Sequence, residues 1–258
     1  MQNNIFSGLF VGQNFVTLKE VDSTNNFLKN IVSNSKPVPE GTVIMAESQY
    51  AGRGQQHNGW HAEPGKNLTF SLLLNPAFLP VVNQYDLNRA VSLGVFNALQ
   101  PLLGPALKIK WPNDIYYGDK KLGGILIENI IQGSQLKHSI AGIGINVNQF
   151  HFPGHLPNAV SVKQILHRDY DLKVLLSEIC SHIEACYLKL KAGQYLWLRD
   201  EYTKNLYWLN ETRNFKSNNT VFAAVIKEVK PNGLLALQKQ QEEVTFNLKE
   251  IEFLINYP

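Results

Sequence analysis

Apolar positions change period several times along the chain, and each change predicts a different element. Phe15-Val16-Thr17-Leu18 reads as a first strand running into Glu20-Val21, and Thr42 to Glu47 as the next. Leu68, Phe70 and Leu72 alternate within Asn67 to Leu74, the period-two mark of a strand. Phe27, Leu28, Ile31 and Val32 fall instead at helical spacing. Leu87, Ala90, Val91, Gly94, Val95, Ala98 and Leu99 give one apolar face to a helix over Tyr85 to Leu103. Lys173 to Lys191 and Gln194 to Lys204 predict two more helices, and Val160 to Leu166 one or two helical turns. Lys137 to Asn148 reads as a buried strand. From Tyr207 the pattern breaks into Val221–Ile226, Leu234–Leu237 and Val244–Phe246 around the turn Lys230-Pro231-Asn232-Gly233, as in a small β-barrel.

The segment from Lys108 to Asn129 carries the densest chemistry. A short run, Lys108 to Trp111, breaks at Pro112-Asn113-Asp114, where proline fixes φ and Asn-Asp suits a turn. Ile115-Tyr116-Tyr117 then leads through the turn Gly118-Asp119-Lys120 into Lys121 to Glu128, apolar on both faces and therefore expected inside its sheet. Simple alternation puts Lys121, Gly123, Ile125 and Ile127 on one side. Lys121 beside a position without a side chain leaves room for a flat ligand under an ammonium. Equally, Gly123-Gly124 can form a bulge while Lys121 reaches solvent.

Three further stretches hold more polar or flexible residues than structure alone requires. Asp22-Ser23-Thr24-Asn25-Asn26 supplies several helix-capping residues where one suffices, and the surplus suits a small polar ligand group. Gln49 to Trp60 loses all apolar periodicity and includes Gly52-Arg53-Gly54. Its backbone N–H groups and Arg53 suit a phosphate and Trp60 an apolar ligand; a plain surface loop is the alternative. His57 and His61 have no partners at ligand spacing. Gly142 and Gly144 in Gly142-Ile143-Gly144-Ile145-Asn146 signal either close sheet packing or a planar ring lying over the strand with Asn146 at its edge.

Composition narrows the class. The chain has 258 residues, enough for one large domain and a small one; 44% hydrophobic and 17% charged residues fit a globular protein. A net charge of +3 with no basic block gives little support to a nucleic-acid partner. Cys180 and Cys186 lie in an apolar helical run and suit neither a redox pair nor a zinc set. With no secretory pattern and no apolar run long enough to span a bilayer, a cytoplasmic protein is expected.

Gly52-Arg53-Gly54 with Trp60, Lys110-Trp111-Pro112-Asn113-Asp114, Lys121 to Glu128, and Gly142 to Val147, in that order, closely resemble the biotin–protein ligases. The resemblance runs from about Phe15 to the C-terminus. It implies an α+β fold: a mixed, largely antiparallel sheet with helices packed on it, class II synthetase-like, over residues 1–206, and an SH3-like β-barrel over 207–258. It also implies the activity, joining of biotin to ATP as biotinyl-5′-AMP with release of pyrophosphate. Biotin then passes to a lysine of the biotin carboxyl carrier protein of acetyl-CoA carboxylase, with Mg²⁺ accompanying ATP.

By the same resemblance Ser23, Thr24, Asn25 and Gln49 hold biotin's ureido ring, with Gly54, Gln55, Gly123 and Gly124 also at the biotin site. Arg53 orders over the intermediate, and Lys121 contacts the biotin carboxylate and the α-phosphate. Gly52, Trp60, Lys110, Asn113, Gly142 and Asn146 fall on the adenylate side. Asp114 is a candidate for nucleotide or Mg²⁺ binding or acceptor activation. Lys121, Arg53 and Asp114 are thus the expected catalytic residues.

The sequence departs from the family at Gln55, where an arginine is common; a glutamine there predicts a looser hold on biotinyl-AMP. About fourteen residues precede the first strand, too few for a helix-turn-helix, so DNA binding is not expected, and monomer and homodimer both stay open. A lipoate–protein ligase or octanoyl transferase of the same fold, and a non-catalytic biotin-binding protein, are the alternatives. The Gly-Arg-Gly loop and the Lys-Trp-Pro-Asn-Asp motif weigh against the first, and Lys121 with Arg53 against the second.

Overall fold

The computed structural model describes residues 6–34, 37–55 and 58–255. Lys36, in the turn that Lys36-Pro37-Val38-Pro39-Glu40-Gly41 predicts, and Gln56 and His57 of the glycine loop lie outside the described residues. Strands β1 (Phe15–Val21), β2 (Val43–Gln49), β3 (Leu68–Leu74), β4 (Leu107–Lys110), β5 (Asp114–Tyr117), β6 (Lys120–Gln132) and β7 (Gln135–Ile145) form a seven-stranded sheet in the order β1-β2-β3-β7-β6-β5-β4. Only the β1–β2 pair is parallel; the remaining neighbours are antiparallel.

One face of this sheet meets the long helices α2 (Gln84–Leu103) and α4 (Leu172–Lys191), which pack on each other. Phe70, Leu72, Ile125, Ile143 and Ile145 point into that core. Helix α1 (Thr24–Ser33) covers the opposite face, where Leu28, Ile44, Leu73 and Ile140 form a small core of their own. The rest of that face, toward β5, is left open, and there the functional cavity lies. Every residue of β3 is buried, because the strand sits between these layers.

Helices α3 (Val162–Leu166) and α5 (Tyr195–Lys204) lead to a second, antiparallel sheet of β8 (Thr212–Ser217), β9 (Thr220–Val229), β10 (Leu235–Lys239), β11 (Glu242–Phe246) and β12 (Glu252–Phe253). Its order is β11-β10-β9-β8-β12. The apolar runs of β9 to β11 announce themselves in the sequence, whereas β8, rich in polar residues, and the two-residue β12 do not. The sheet is docked through fully buried Arg89 of α2, whose guanidinium donates to the carbonyls of Val229 at 2.9 Å and Lys230 at 2.6 Å. Asp86 balances Arg89 at 2.6 Å and also pairs with Arg199 at 2.6 Å. Trp111 Nε1 donates to Gly233 O at 2.9 Å, so the segment before Pro112 is tied to the same turn.

Simple alternation fails at the start of β6. Tyr116 pairs with Lys121 and Ile115 with Gly123, so Leu122 is an extra residue in the ladder, a β-bulge. The bulge turns Lys121 onto the face of Gly124, Leu126 and Glu128, opposite Gly123 and Ile125. The expected grouping of Lys121 with Gly123, Ile125 and Ile127 is therefore wrong. Gly123 faces the large core, where an added Cβ would lie 2.5 Å from Ile145 Cδ1.

Candidate active site

The open face holds a cavity of about 500 Å³. The start of α1 forms one end. Ser23 occupies the N-cap position but makes no side-chain cap, unlike Ser161 at α3, which forms a complete capping box with Gln164. The polar side chains of the first cluster turn inward instead. Gln49 Oε1 accepts from Thr24 N at 2.7 Å and from Thr24 Oγ1 at 3.2 Å. Ser71 Oγ, on β3, lies 2.7 Å from Thr24 Oγ1 and 2.6 Å from Asn25 Oδ1. Ser23, Thr24 and Asn25 are all buried.

The glycines of β7 make room for the chain's own side chains. A Cβ on Gly142 would stand 2.4 Å from Asn25 Oδ1, and one on Gly144 2.4 Å from Trp60 Cε2. The planar ring over this strand is thus the Trp60 indole, and the adjoining glycine admits an amide. Trp60 Nε1 is buried and, among the described residues, has no hydrogen-bond partner. Asn146 does not line the cavity: its Nδ2 donates to Val160 O at 3.1 Å, holding the segment before α3.

The loop returns along itself, with Gly54 N donating to Asn58 O at 2.7 Å and Trp60 N to Gly52 O at 2.9 Å. Gly52 belongs to this turn and not to the cavity wall; a Cβ there would meet Trp60 O at 2.4 Å. Arg53, Gly54, Gln55 and Trp60 do line the cavity. Arg53 Nη1 donates to Asn26 Oδ1 at 2.6 Å, and Asn26 Nδ2 in turn to Asp22 Oδ2 at 2.7 Å. That amide bond holds the Asp22 carboxyl below its ordinary pKa.

The other end is charged. Lys121 Nζ lies 2.7 Å from Asp114 Oδ1, both groups on the cavity wall beside Gly124. Lys110 extends between two rings, 4.3 Å from the centroid of Phe253 and 5.3 Å from that of Tyr116. Burial pushes its ammonium below the usual lysine pKa, against the pull of Asp114. Asn113 lines the wall, but its side-chain amide donates to Ile125 O and its carbonyl accepts from Ile125 N, which ties the turn to β6. Leu248, Ile251, Glu252, Phe253 and Ile255 reach the cavity from the second sheet.

Of the expected site residues, the cavity gathers all but Gly52, Gly123 and Asn146. Tyr116 and Phe253 on the cavity wall, and Ser71 and Glu128 bonded to Asn25 behind it, are not among the expected residues. A serine within the otherwise apolar Leu68–Leu74 run was a readable signal for Ser71. Among the described residues no three His, Cys, Asp or Glu side chains come together as a metal site, and no helix is long and apolar enough to cross a membrane.

A sequence profile of the biotin/lipoate A/B protein ligase family matches residues 18–146. The bifunctional ligase/repressor BirA of Bacillus subtilis is 32% identical over 182 residues, 69% of this chain and 54% of its own length. The biotin–[acetyl-CoA-carboxylase] ligase of Paracoccus denitrificans is 34% identical over 106 residues, 40% of this chain and 43% of its own. The chain spans about half the length of these relatives. Among solved structures, biotin protein ligase from Aquifex aeolicus in complex with biotin and ATP is similar with a TM-score of 0.78 at 27% identity, over 93% of this chain and 98% of that one. With the profile matched over half of its length, the chain belongs to the biotin/lipoate A/B protein ligase family.

Proposed function

We propose that the protein activates biotin with ATP, giving biotinyl-5′-AMP and pyrophosphate, and transfers the biotinyl group to a lysine of the biotin carboxyl carrier protein of acetyl-CoA carboxylase. The observation that carries this reading is one cavity joining an end lined by the hydroxyl and amide groups of Ser23, Thr24, Asn25 and Gln49 to a wall with two ammonium groups, Lys110 and Lys121. A small molecule with a polar head and a carboxylate tail fits such a gradient, with the nucleotide beyond the tail. The names of the relatives and of the Aquifex aeolicus complex support it.

In this reading Ser23, Thr24, Asn25 and Gln49 face the ureido ring, and Lys121 receives the carboxylate and the α-phosphate. The two anions repel, and a fixed ammonium offsets that repulsion as charge builds in the transition state. A carboxylate oxygen bonds to the α-phosphorus, the bond to the bridging oxygen breaks, and pyrophosphate leaves. In the second step the acceptor amine attacks the carbonyl carbon and AMP departs. Asp114 keeps Lys121 aimed into the cavity and stands ready for the proton that the amine sheds. The loop from Gly52 to Trp60 and the β12 residues exclude water from the mixed anhydride. Mg²⁺ supplies charge neutralisation when bound with ATP. Its ligands would come chiefly from the phosphates, with Asp114 as a carboxylate on this wall that could join them.

ATP–pyrophosphate exchange tests the reading. Wild type should exchange with biotin and not with lipoate, and Lys121→Ala should lose about 100- to 1,000-fold in rate with its unfolding midpoint kept. Exchange with lipoate would assign the chain to the lipoate branch of the family. No exchange with either would remove the adenylation chemistry and the role of Lys121.

A further inference from the structure

Beyond Gly124 and Leu126 on the cavity face of β6 lies Glu128, a carboxylate that the proposed chemistry does not use. Its two oxygens are fully engaged. Oε1 accepts from Arg53 Nη2 at 3.0 Å, while Oε2 accepts from Arg53 Nη1 at 3.1 Å and from Asn25 Nδ2 at 2.9 Å. The pairing with Arg53 is bidentate, which fixes the guanidinium plane as well as its distance. Asn25 is fixed too. Its amide nitrogen is held by Glu128 and its oxygen by Ser71, so only one of the two amide orientations satisfies both partners.

Glu128 thus ties together three segments distant in sequence: the start of α1, the glycine loop and the centre of the sheet. Its charge also offsets that of Arg53. A guanidinium matched by a bidentate carboxylate contributes little net positive field to an incoming phosphate, whereas Lys110 forms no ion pair among the described residues.

We propose that Glu128 is a positioning residue for biotin binding, orienting the Asn25 amide and docking Arg53, while Lys110, which forms no ion pair among the described residues, leads in meeting the phosphate charge. The assignment rests on the biotin-ligase reading for its catalytic consequence, though not for its geometry. Arg53 is thereby a fastening for the glycine loop and not the cation that receives ATP.

Trypsin reads the geometry directly in the ligand-free protein, because cleavage after Arg53 requires its guanidinium to leave Glu128 and enter the protease. Glu128→Gln keeps the side-chain volume and removes the charge. Cleavage after Arg53 should then run about fivefold faster, with cleavage after other lysines and arginines unchanged. In ATP–pyrophosphate exchange the same variant should raise the KM for biotin by a similar factor and leave the KM for ATP within about twofold. Wild-type cleavage after Arg53, or a uniform rise at every cleavage position, would overturn the proposal. A lower KM for ATP with an unchanged KM for biotin would overturn it as well, by showing that freed Arg53 serves the phosphate. Wild type that fails to exchange would refute the ligase reading alone, and the cleavage comparison would still decide the contact.

Discussion

At the α1 end of the cavity Thr24, Asn25, Gln49 and Ser71 are tied to one another by hydrogen bonds, while the opposite end presents Lys110, flanked by aromatic rings, and Lys121, paired with Asp114. The first end is built within one sheet and the helix that covers it. The second borrows Phe253 and its neighbours from a separate sheet. An amide and hydroxyl network in a buried site is geometrically unforgiving, since any group left unpaired costs about 1–3 kcal/mol. Charges act over longer distances and tolerate more movement. In the proposed reading, recognition of the polar head then rests on the rigid sheet, and charge is handled where two sheets meet. Disturbing one end should change biotin binding, and disturbing the other should change ATP binding.

The largest separation is expected for Gly142→Ala. Its Cβ would stand 2.4 Å from Asn25 Oδ1 and 2.9 Å from Asn25 Cγ, and Asn25 is pinned by Ser71 and Glu128 and cannot swing aside. Overpacking of this kind costs about 1–3 kcal/mol, so the KM for biotin should rise roughly ten- to a hundredfold. The KM for ATP should stay near wild type. Equal rises in both would mean that the two ends are not separable.

Lys110→Met addresses the opposite end. Burial depresses the Lys110 pKa, so the fold disfavours its charged form. The cost of burying that charge is fully present below the lowered folded pKa. It disappears as the pH rises from there toward the ordinary lysine value of about 10.4. The variant should therefore be more stable than wild type to urea at pH 7, with the gap closing toward pH 10. Its KM for ATP should rise about tenfold, the worth of a charge-assisted hydrogen bond, with biotin binding unaffected. A variant less stable than wild type at pH 7 would mean that the ammonium stabilises the fold.

The same division explains what the sequence reveals. The surplus of polar residues at Asp22–Asn26 and the Lys121-to-Glu128 run are local signals, and both lead to the cavity. Ser23 could be read as a cap from sequence alone; only the fold shows its neighbours turned inward, while Ser161 caps α3 as its spacing with Gln164 announces. What stayed hidden depends on pairing. The bulge at Leu122 is set by the register of β5 on β6, and it moves Lys121 from the face of Gly123 to that of Gly124. Gly144 accommodates Trp60 because a loop some eighty residues earlier folds back over β7, a contact with no trace in either segment's periodicity. The contribution of β12 depends on the docking of the second sheet through Arg89 and Trp111.

The loop that lies between the two ends offers the finest test. Gln55 lines the cavity beside Arg53 and Gly54, and Gln55 O accepts from Asn58 N at 3.0 Å, so the backbone there is already turned. Arg53 is occupied by Glu128, which leaves position 55 as the place where an added loop cation could face the adenylate. Gln55→Arg keeps hydrogen bonding and adds a charge to a partly exposed segment, where a new ion pair is worth about 0.3–1 kcal/mol. Release of preformed biotinyl-AMP, followed by single-turnover decay, should slow about two- to fivefold, with the slowing larger at low salt than at high salt. An unchanged rate would mean that retention depends on the hydrogen-bonded α1 end and that the loop side chain is a bystander.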